Sequence, residues 1–180
     1  ENGVPSLDTV QSTCGALAQV CQNNRNRMLV RYAGLINNLN VILSASTEDS
    51  VLLPVVRLIQ ELVLDHGALA DLHKAGAIDT LMECLKSKNE QVLMAAIDAI
   101  YRAAADESMR TVISKGSGMK DLIGVLGVTS SVNVQILTVA SISECAKSLD
   151  NAEIVNNNSG IDSMVRLLVS SDSDQVKINV

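Results

Sequence analysis

The stretch Ala75-Gly76-Ala77-Ile78, followed by Leu81, Cys84 and Leu85, is the clearest of four related passages in this sequence. Apolar residues at spacings of three and four place one apolar stripe along a short helix. A glycine just before such a stripe indicates a sharp turn into that helix. Related passages of this kind indicate an internal repeat, and the repeat decides the fold.

The same passage recurs at a fixed interval. Its glycines are Gly34, Gly76, Gly118 and Gly160, each 42 residues after the one before. The apolar residues that follow the other three glycines are Leu39, Ile42 and Leu43, then Leu122, Val125 and Leu126, and finally Met164, Leu167 and Leu168. In the last two copies these residues stand one position nearer the glycine, which we interpret as a small drift in register.

A polar break follows each stripe, as in Ser87-Lys88-Asn89-Glu90, and its residues are typical of turns and helix N-caps. A longer helix is predicted after the breaks, over residues 50–64, 90–105 and 132–148, with Val92, Val134 and Val176 near the starts of its copies. A further short helix is predicted before each glycine, for example over residues 106–113. One unit is therefore a short helix, a glycine turn, a second short helix, a polar turn and a long helix.

Three helices in about 42 residues, with Ala-Gly-x-Ile-x-x-Leu at the turn, resemble the armadillo repeat. The stretch Asn23-Asn24-Arg25-Asn26-Arg27-Met28-Leu29-Val30-Arg31-Tyr32-Ala33-Gly34 is similar to that family's Asn-x-x-Asn-Arg-x-x-Ile-Val-x-x-Gly passage. HEAT repeats are the nearest alternative, but their units usually have two helices, and the regular glycine argues against them. The resemblance covers residues about 8 to 180 and implies an all-α, right-handed superhelical solenoid of three-helix repeats.

The repeat predicts a single array rather than separate domains. We expect a partial unit at 1–22, complete units at about 23–64, 65–105 and 106–148, and a partial unit at 149–180. We interpret residues 1–5 as the remnant of another glycine passage or as a shortened loop. A solenoid needs capping units with a polar outer face, so we expect this array to be a fragment of a longer protein.

Composition narrows the range of functions. The formal net charge is −6, with 14 basic and 20 acidic residues. Nucleic-acid affinity comes mostly from phosphate neutralisation by Lys and Arg, so we expect no nucleic-acid partner. No apolar run reaches the roughly 18 residues of a membrane span. The four cysteines lack Cys-x-x-Cys spacing, which favours buried free thiols and a cytoplasmic location, with nuclear, cytoskeletal or ciliary association left open.

By the resemblance, the long helix of each unit lines a concave groove that binds a protein or peptide. The repeat register assigns two columns of side chains to that groove. One column is Gln19, Glu61, Arg102 and Glu144, and the other, one turn earlier, is Gly15, Arg57, Asp98 and Ala140. The alternative is that Arg57 with Glu61 and Asp98 with Arg102 are only opposite-charge pairs at a helix surface, worth about 0.3–0.5 kcal/mol each.

We expect a non-catalytic scaffold or adaptor whose partner is another protein, bound as a peptide or helix. The alternative is a regulatory or oligomerising segment of a multidomain protein, with self-association through the open ends of the array. No cofactor, metal site or catalytic residue is predicted. His66 and His73 are too far apart along a helix to share one metal ion, and we interpret them as part of a solvated inter-helix segment.

Overall fold

The computed structural model describes residues 6–170, and within that range every regular element is a helix. The helices are α1 Leu7–Val20, α2 Asn24–Tyr32, α3 Leu35–Ala45, α4 Asp49–Leu62, α5 His66–Lys74, α6 Ala77–Glu83 with the 3₁₀ turn Cys84–Lys86, α7 Glu90–Ala103, α8 Glu107–Lys115, α9 Gly118–Val128, α10 Val132–Cys145, α11 Leu149–Asn157 and α12 Gly160–Ser170. The predicted all-α fold is confirmed.

The helices repeat in threes. We call α2, α5, α8 and α11 the first helices, α3, α6, α9 and α12 the second helices, and α1, α4, α7 and α10 the third helices. The third helices begin at Leu7, Asp49, Glu90 and Val132, which are 42, 41 and 42 residues apart. The long helices end two to three residues earlier than predicted, at Leu62, Ala103 and Cys145.

One repeat is a residue shorter than its neighbours, and the missing residue lies in the second helix α6. The helices α3 and α9 each have 11 residues, whereas α6 has 7 residues and ends in a 3-residue 3₁₀ turn, Cys84–Lys86. A 3₁₀ turn rises about 2.0 Å per residue instead of 1.5 Å, so it covers nearly the same length with fewer residues. The three-residue polar connection to the long helix is kept.

The predicted drift of the apolar stripe was wrong, because the shorter α6 accounts for the one-residue shift. Helix α3 begins one residue after Gly34 and α6 one residue after Gly76, but α9 and α12 begin at the glycine itself. Counted from the first residue of each helix, the apolar stripe occupies the same positions in all four second helices. In α9 and α12 the glycine is the first residue of the helix, whereas the apolar stripe keeps its distance from the start of the helix.

The turn into the second helix requires a left-handed residue in three of the four copies. Gly34 has φ +76° and Gly76 has φ +77°, and in the fourth copy Ser159 takes this position with φ +59°. Left-handed backbone suits glycine because it has no Cβ, and a serine there is strained. Gly118 and Gly160 therefore do not serve as the turn residues that the 42-residue spacing predicts.

The described residues divide into two compact units, the first ending at Leu81 and the second beginning at Met82. In the first unit, the third helices α1 and α4 pack together, and α3 packs on α4 and α5. Its interior is built from aliphatic side chains such as Leu39, Leu58, Ile59 and Leu72, all fully buried. The amide of Asn40 joins α3 to the next turn by donating to the Ala75 carbonyl and accepting from the Thr80 hydroxyl at 3.0 Å.

In the second unit, α10 packs against α7 and α9, and α11 packs against α8 and α9. The Ser141 hydroxyl lies 3.3 Å from the Ile97 carbonyl, so α7 and α10 approach closely. Close approach is possible because the buried residues of α7 include four alanines, Ala95, Ala96, Ala99 and Ala103. The near-absence of aromatic residues, 1% of the sequence, fits these narrow spaces between helices.

Two predictions fall outside the described residues. One is the long helix expected to start near Val176, with the polar break after Ser170. The other is the glycine-containing passage at residues 1–5.

Candidate protein-binding surface

The six predicted site residues all lie on third helices. Four of them occupy one equivalent position, twelve residues after their helix begins: Gln19, Glu61, Arg102 and Glu144. Arg57 and Asp98 share the position one turn earlier, eight residues after theirs begins. The register predicted from the sequence therefore places each residue on the helix and at the helical position that was expected.

In the first unit, Gln19 and Arg57 are exposed and Glu61 is half-buried. The Gln22 amide donates to the Gln19 side-chain carbonyl at 3.3 Å. Among the described residues Arg57 forms no ion pair, so the predicted pair of Arg57 with Glu61 is not formed. An exposed arginine without a fixed geometry keeps its rotamer freedom, so this position is a solvated cation.

In the second unit, the charged positions are paired locally. Arg102 Nε donates to Asp98 Oδ2 at 2.6 Å across one turn of α7, and both side chains are half-buried. Just after α10 ends, Lys147 Nζ donates to both carboxylate oxygens of Glu144 at 2.7 Å. The predicted pair of Asp98 and Arg102 is confirmed. A pair of this kind contributes little stability in partial contact with water.

Sequence reasoning missed Tyr101, whose side chain is 38% exposed next to Arg102. One turn before Asp98 the helix presents Met94, which is half-buried. Met94, Asp98, Tyr101 and Arg102 therefore form a continuous strip on α7, which we call the α7 strip. Tyr, Met and Arg are enriched at protein interfaces. The available signal was that Tyr101 is one of only two aromatic residues in the chain.

Helix α2 carries three arginines, Arg25, Arg27 and Arg31, and the last two have structural roles. Arg27 caps the end of α1 by donating to the carbonyls of Cys21 at 2.8 Å and Gln22 at 3.3 Å. Arg31 Nε donates to Asp71 Oδ2 at 2.6 Å, and this bond is the main reason that the pKa of Asp71 lies below its ordinary value. These side chains join successive helices and are not arranged around an anion.

Cys14, Cys21, Cys84 and Cys145 are all buried thiols. Burial raises the pKa of Cys84 to about 11 and that of Cys145 to about 12, so neither is a reactive thiolate at neutral pH.

Among residues 6–170, no three His, Cys, Asp or Glu side chains could together hold a metal ion. His66 and His73 are both exposed and stand at the two ends of α5, so the prediction of an inter-helix segment was wrong. No helix in the same range has the length and apolar character needed to cross a bilayer.

Two curated relatives align with most of the chain. It is 30% identical over 169 residues, 93% of its length, to "Outer dynein arm-docking complex subunit 2" from Bos taurus. It is 21% identical over 177 residues to "Armadillo repeat-containing protein gudu" from Drosophila melanogaster. The chain spans only 16% and 26% of the lengths of these two relatives. No family model matches the chain.

Solved structures share its fold. A designed armadillo repeat protein in complex with the peptide (KR)4 matches with a TM-score of 0.89 and 19% identity, covering 98% of this chain and 74% of that one. Computationally designed armadillo repeat proteins for modular peptide recognition match with a TM-score of 0.89 and 20% identity, over the same shares. At these identities the likeness establishes the fold and leaves the ligand open.

Proposed function

Since the chain is an armadillo-repeat protein, we propose that it is a non-catalytic scaffold that binds another protein through the exposed faces of its third helices. The observation that supports this most directly is the α7 strip. It combines a half-exposed tyrosine, a methionine and an arginine whose Nε is held in place by Asp98. A fixed guanidinium beside an aromatic ring loses little side-chain entropy when a partner binds.

The partner proposed for this surface is a protein segment of mixed character. In the second unit, the equivalent positions of the third helices carry opposite charges, Arg102 on α7 and Glu144 on α10. A uniformly basic or acidic segment would meet like charge at one or more of these positions. We infer that the partner carries both charges, or offers backbone amides and carbonyls to these long polar side chains.

The bovine relative's name gives the proposal a biological setting. We propose that this chain docks one component of an outer dynein arm assembly, because that relative is a subunit of an outer dynein arm-docking complex. The proposal of a binding surface is argued from the α7 strip and does not depend on this biological setting.

The test is affinity capture from an axonemal extract. The wild-type chain, Arg102→Ala and the exposed control Thr111→Ala on α8 are immobilised at equal density, and captured proteins are identified by mass spectrometry. We expect outer dynein arm or docking proteins on the wild type and on Thr111→Ala, and a clear loss of them on Arg102→Ala. Equal capture by all three would reject the surface, and capture without any dynein-arm component would reject the setting.

A second proposal is that this array is a regulatory segment of a larger protein. It is favoured by the fact that the chain spans 26% or less of the two curated relatives. In such a protein the repeat array would bind a partner, and another domain would carry the activity. Testing it requires the longer protein, with the array deleted and the activity of the rest measured against the intact form.

A further inference from the structure

The first helix α2 has an exposed face on the side turned away from the interior of its unit. Val30 is the buried residue of this helix, and Met28 and Tyr32 stand two residues before and after it. At 3.6 residues per turn, both side chains point about 160° away from that of Val30. Arg25 lies on the same side of the helix, three residues before Met28. We call Arg25, Met28 and Tyr32 the α2 face.

This face is a surface position of the repeat even where a preceding first helix is in place. Helix α5 packs against α2, and α11 packs against α8. The residues equivalent to Met28 and Tyr32 are nevertheless exposed in both helices, namely Ala70 and Lys74 on α5, and Glu153 and Asn157 on α11. The exposure of Met28 and Tyr32, 40% and 72%, therefore belongs to the repeat and does not result from their place near the start of the chain.

The flanks of α2 differ from this outward face. On one flank Arg31 contacts the following first helix, because its Nε donates to Asp71 Oδ2 of α5 at 2.6 Å. Asp71 occupies in α5 the position that Leu29 occupies in α2, so a first helix that preceded α2 would pack on Leu29. We therefore leave Leu29 out of the α2 face, although it is 58% exposed.

The α2 face is locally positive on a chain whose net charge is −6. Helix α2 has three arginines and no acidic residue. Arg25 is exposed, and its side chain forms no ion pair or hydrogen bond with any described residue. Two carboxylates act on Arg31 and both are hydrogen-bonded, Asp71 by Arg31 itself and Asp65 by a backbone N–H at the start of α5. Lys74 adds an exposed cation on α5 at the position of Tyr32.

The Tyr32 ring is held beside this charge. The Arg31 guanidinium lies 5.7 Å from the centre of the ring, and it also lies over Gly67 of α5, where an added Cβ would overlap it. A ring fixed by a neighbouring cation loses little freedom when a partner side chain packs on it. Because α5 carries the smaller Ala70 at the position of Met28, the surface steps down from α2 to α5, and an apolar side chain fits against that step.

We propose that the α2 face binds an acidic segment of another protein, in which an apolar side chain is flanked by carboxylates. The apolar side chain packs on Met28 and Tyr32. The carboxylates pair with Arg25 on one side of it and with Lys74 on the other. Tyr, Met and Arg are the residue types that are enriched at protein interfaces. This second binding surface goes beyond the proposed function, since it lies on the first helices and shares no residue with the α7 strip.

A protein segment fits the α2 face better than an anionic membrane does. Two apolar side chains on a nine-residue helix bury too little area to hold that helix at a bilayer. A bilayer is also broad, so it would meet many of the acidic residues of a chain with net charge −6. A short segment meets only the local positive charge, because salt screens the more distant charges.

The test is a titration of the isotope-labelled chain with synthetic peptides, followed by the NMR chemical shifts of its amides. The probe is Gly-Glu-Asp-Leu-Phe-Glu-Asp-Gly, and two control peptides replace either Leu-Phe by Ser-Ser or every acidic residue by lysine. We expect the probe to shift amides of α2 and α5 and to bind about fivefold or more tightly than either control. No binding of the probe, or shifts centred on another part of the chain, would overturn the proposal.

Variants of the chain test the two kinds of contact separately. Arg25→Glu removes the charge complementarity and Tyr32→Ala removes the ring, and each should weaken binding of the probe about fivefold or more. Lys115→Glu is the matched control, because it reverses an exposed charge at the position of Tyr32 on α8 and should bind like the wild type. A glutamate in the first turn of α2 suits the helix dipole, and Tyr32 is mostly exposed, so all three variants should melt like the wild type. Equal binding by all of them would refute the α2 face.

Co-sedimentation with vesicles of phosphatidylcholine and phosphatidylserine tests the other occupant. The wild type should stay in the supernatant. Pelleting that Arg25→Glu abolishes would overturn the proposal, because the face would then be a membrane contact. All these substitutions lie outside α7, so their failure would leave the proposed function standing.

Discussion

Gly76 and Gly124 show how the same residue type has opposite consequences at two places. Gly76 has φ +77°, and a Cβ added there would meet nothing nearer than the Asn40 amide at 3.6 Å, so the obstacle to a side chain is the backbone itself. Gly124 lies within α9, and a Cβ added there would meet no atom within 4 Å. The first glycine is needed for the turn, and the second only weakens its helix.

We therefore predict that Gly76→Ala lowers the free energy of unfolding by about 1–2 kcal/mol, the cost of a left-handed non-glycine residue. Gly124→Ala should raise it by about 0.5–1 kcal/mol, because alanine is the better helix former. Urea denaturation of both variants beside the wild type measures the two changes. Equal stability of the wild type and Gly76→Ala would contradict the turn geometry.

The pair of Arg31 with Asp71 gives a prediction in pH. Arg31 holds the pKa of Asp71 below its ordinary value of 3.8, so the folded state favours the ionised carboxylate. The resulting stability is present above pH 3.8 and is lost as the pH falls through the lower, folded-state pKa. Asp71→Asn should therefore reduce the melting temperature at pH 7, and the difference from the wild type should shrink below pH 3.8.

The matched control for this prediction is Asp79→Asn, an exposed aspartate on α6. Its difference from the wild type should be smaller at pH 7 than that of Asp71→Asn. A melting temperature of Asp71→Asn equal to that of the wild type at pH 7 would show that the pair adds nothing to stability. Many partly exposed ion pairs contribute nothing measurable to stability.

At the scale of elements, the fully buried Asn151 ties three helices together. Its Nδ2 group donates to the Arg110 carbonyl of α8 at 2.9 Å and to the Cys145 carbonyl at the end of α10 at 3.1 Å. Removing this amide leaves two carbonyls without that donor. We predict that Asn151→Ala costs about 1–3 kcal/mol, the usual penalty for a buried polar group that loses its partner.

Asn156→Ala, which alters an exposed residue of the same helix, is the control for that change and should stay within about 0.5 kcal/mol of the wild type. Chemical denaturation of both variants gives the comparison. Similar losses for the two would mean that helix propensity explains the effect. A loss confined to Asn151→Ala would assign it to the bonds between helices.

Much of the element level was predictable, because the glycines and the apolar stripes recur at nearly constant spacing. The sequence alone could not distinguish a drifting stripe from a shortened helix, since both put Leu122 one residue nearer the glycine. The two cases are told apart by the 3₁₀ turn Cys84–Lys86. Its larger rise per residue keeps the second helix near full length with one residue fewer. Ser159 was missed as a turn residue because serine rarely adopts positive φ.

The candidate surface was predictable to the level of helix position and no further. Register alone placed Arg102 and Glu144 at equivalent positions. It could not show that Lys147 pairs with Glu144, or that Tyr101 is left partly exposed, because both depend on side-chain conformation.

At the scale of the whole molecule, the chain presents two surfaces of different chemistry besides the α2 face. One is the α7 strip with Tyr101 and Arg102, and the other is a groove lined by Val10, Cys14 and Leu17 of α1, which is mainly apolar. We assign partner recognition to the first surface. Because the two surfaces share no residue, a variant that affects one should leave the other unchanged.

Partner recognition by the third helices is tested most directly with a peptide chosen without prior assumption. A peptide is selected from a random display library against the folded chain, and its dissociation constant is measured for the wild type, Arg102→Ala, Tyr101→Ala and the control Thr111→Ala. We predict that Arg102→Ala and Tyr101→Ala each weaken binding about fivefold or more, equivalent to about 1 kcal/mol, with melting temperatures nearly unchanged and Thr111→Ala equal to the wild type. Equal binding by all four proteins would contradict the assignment and place the binding surface elsewhere on the chain.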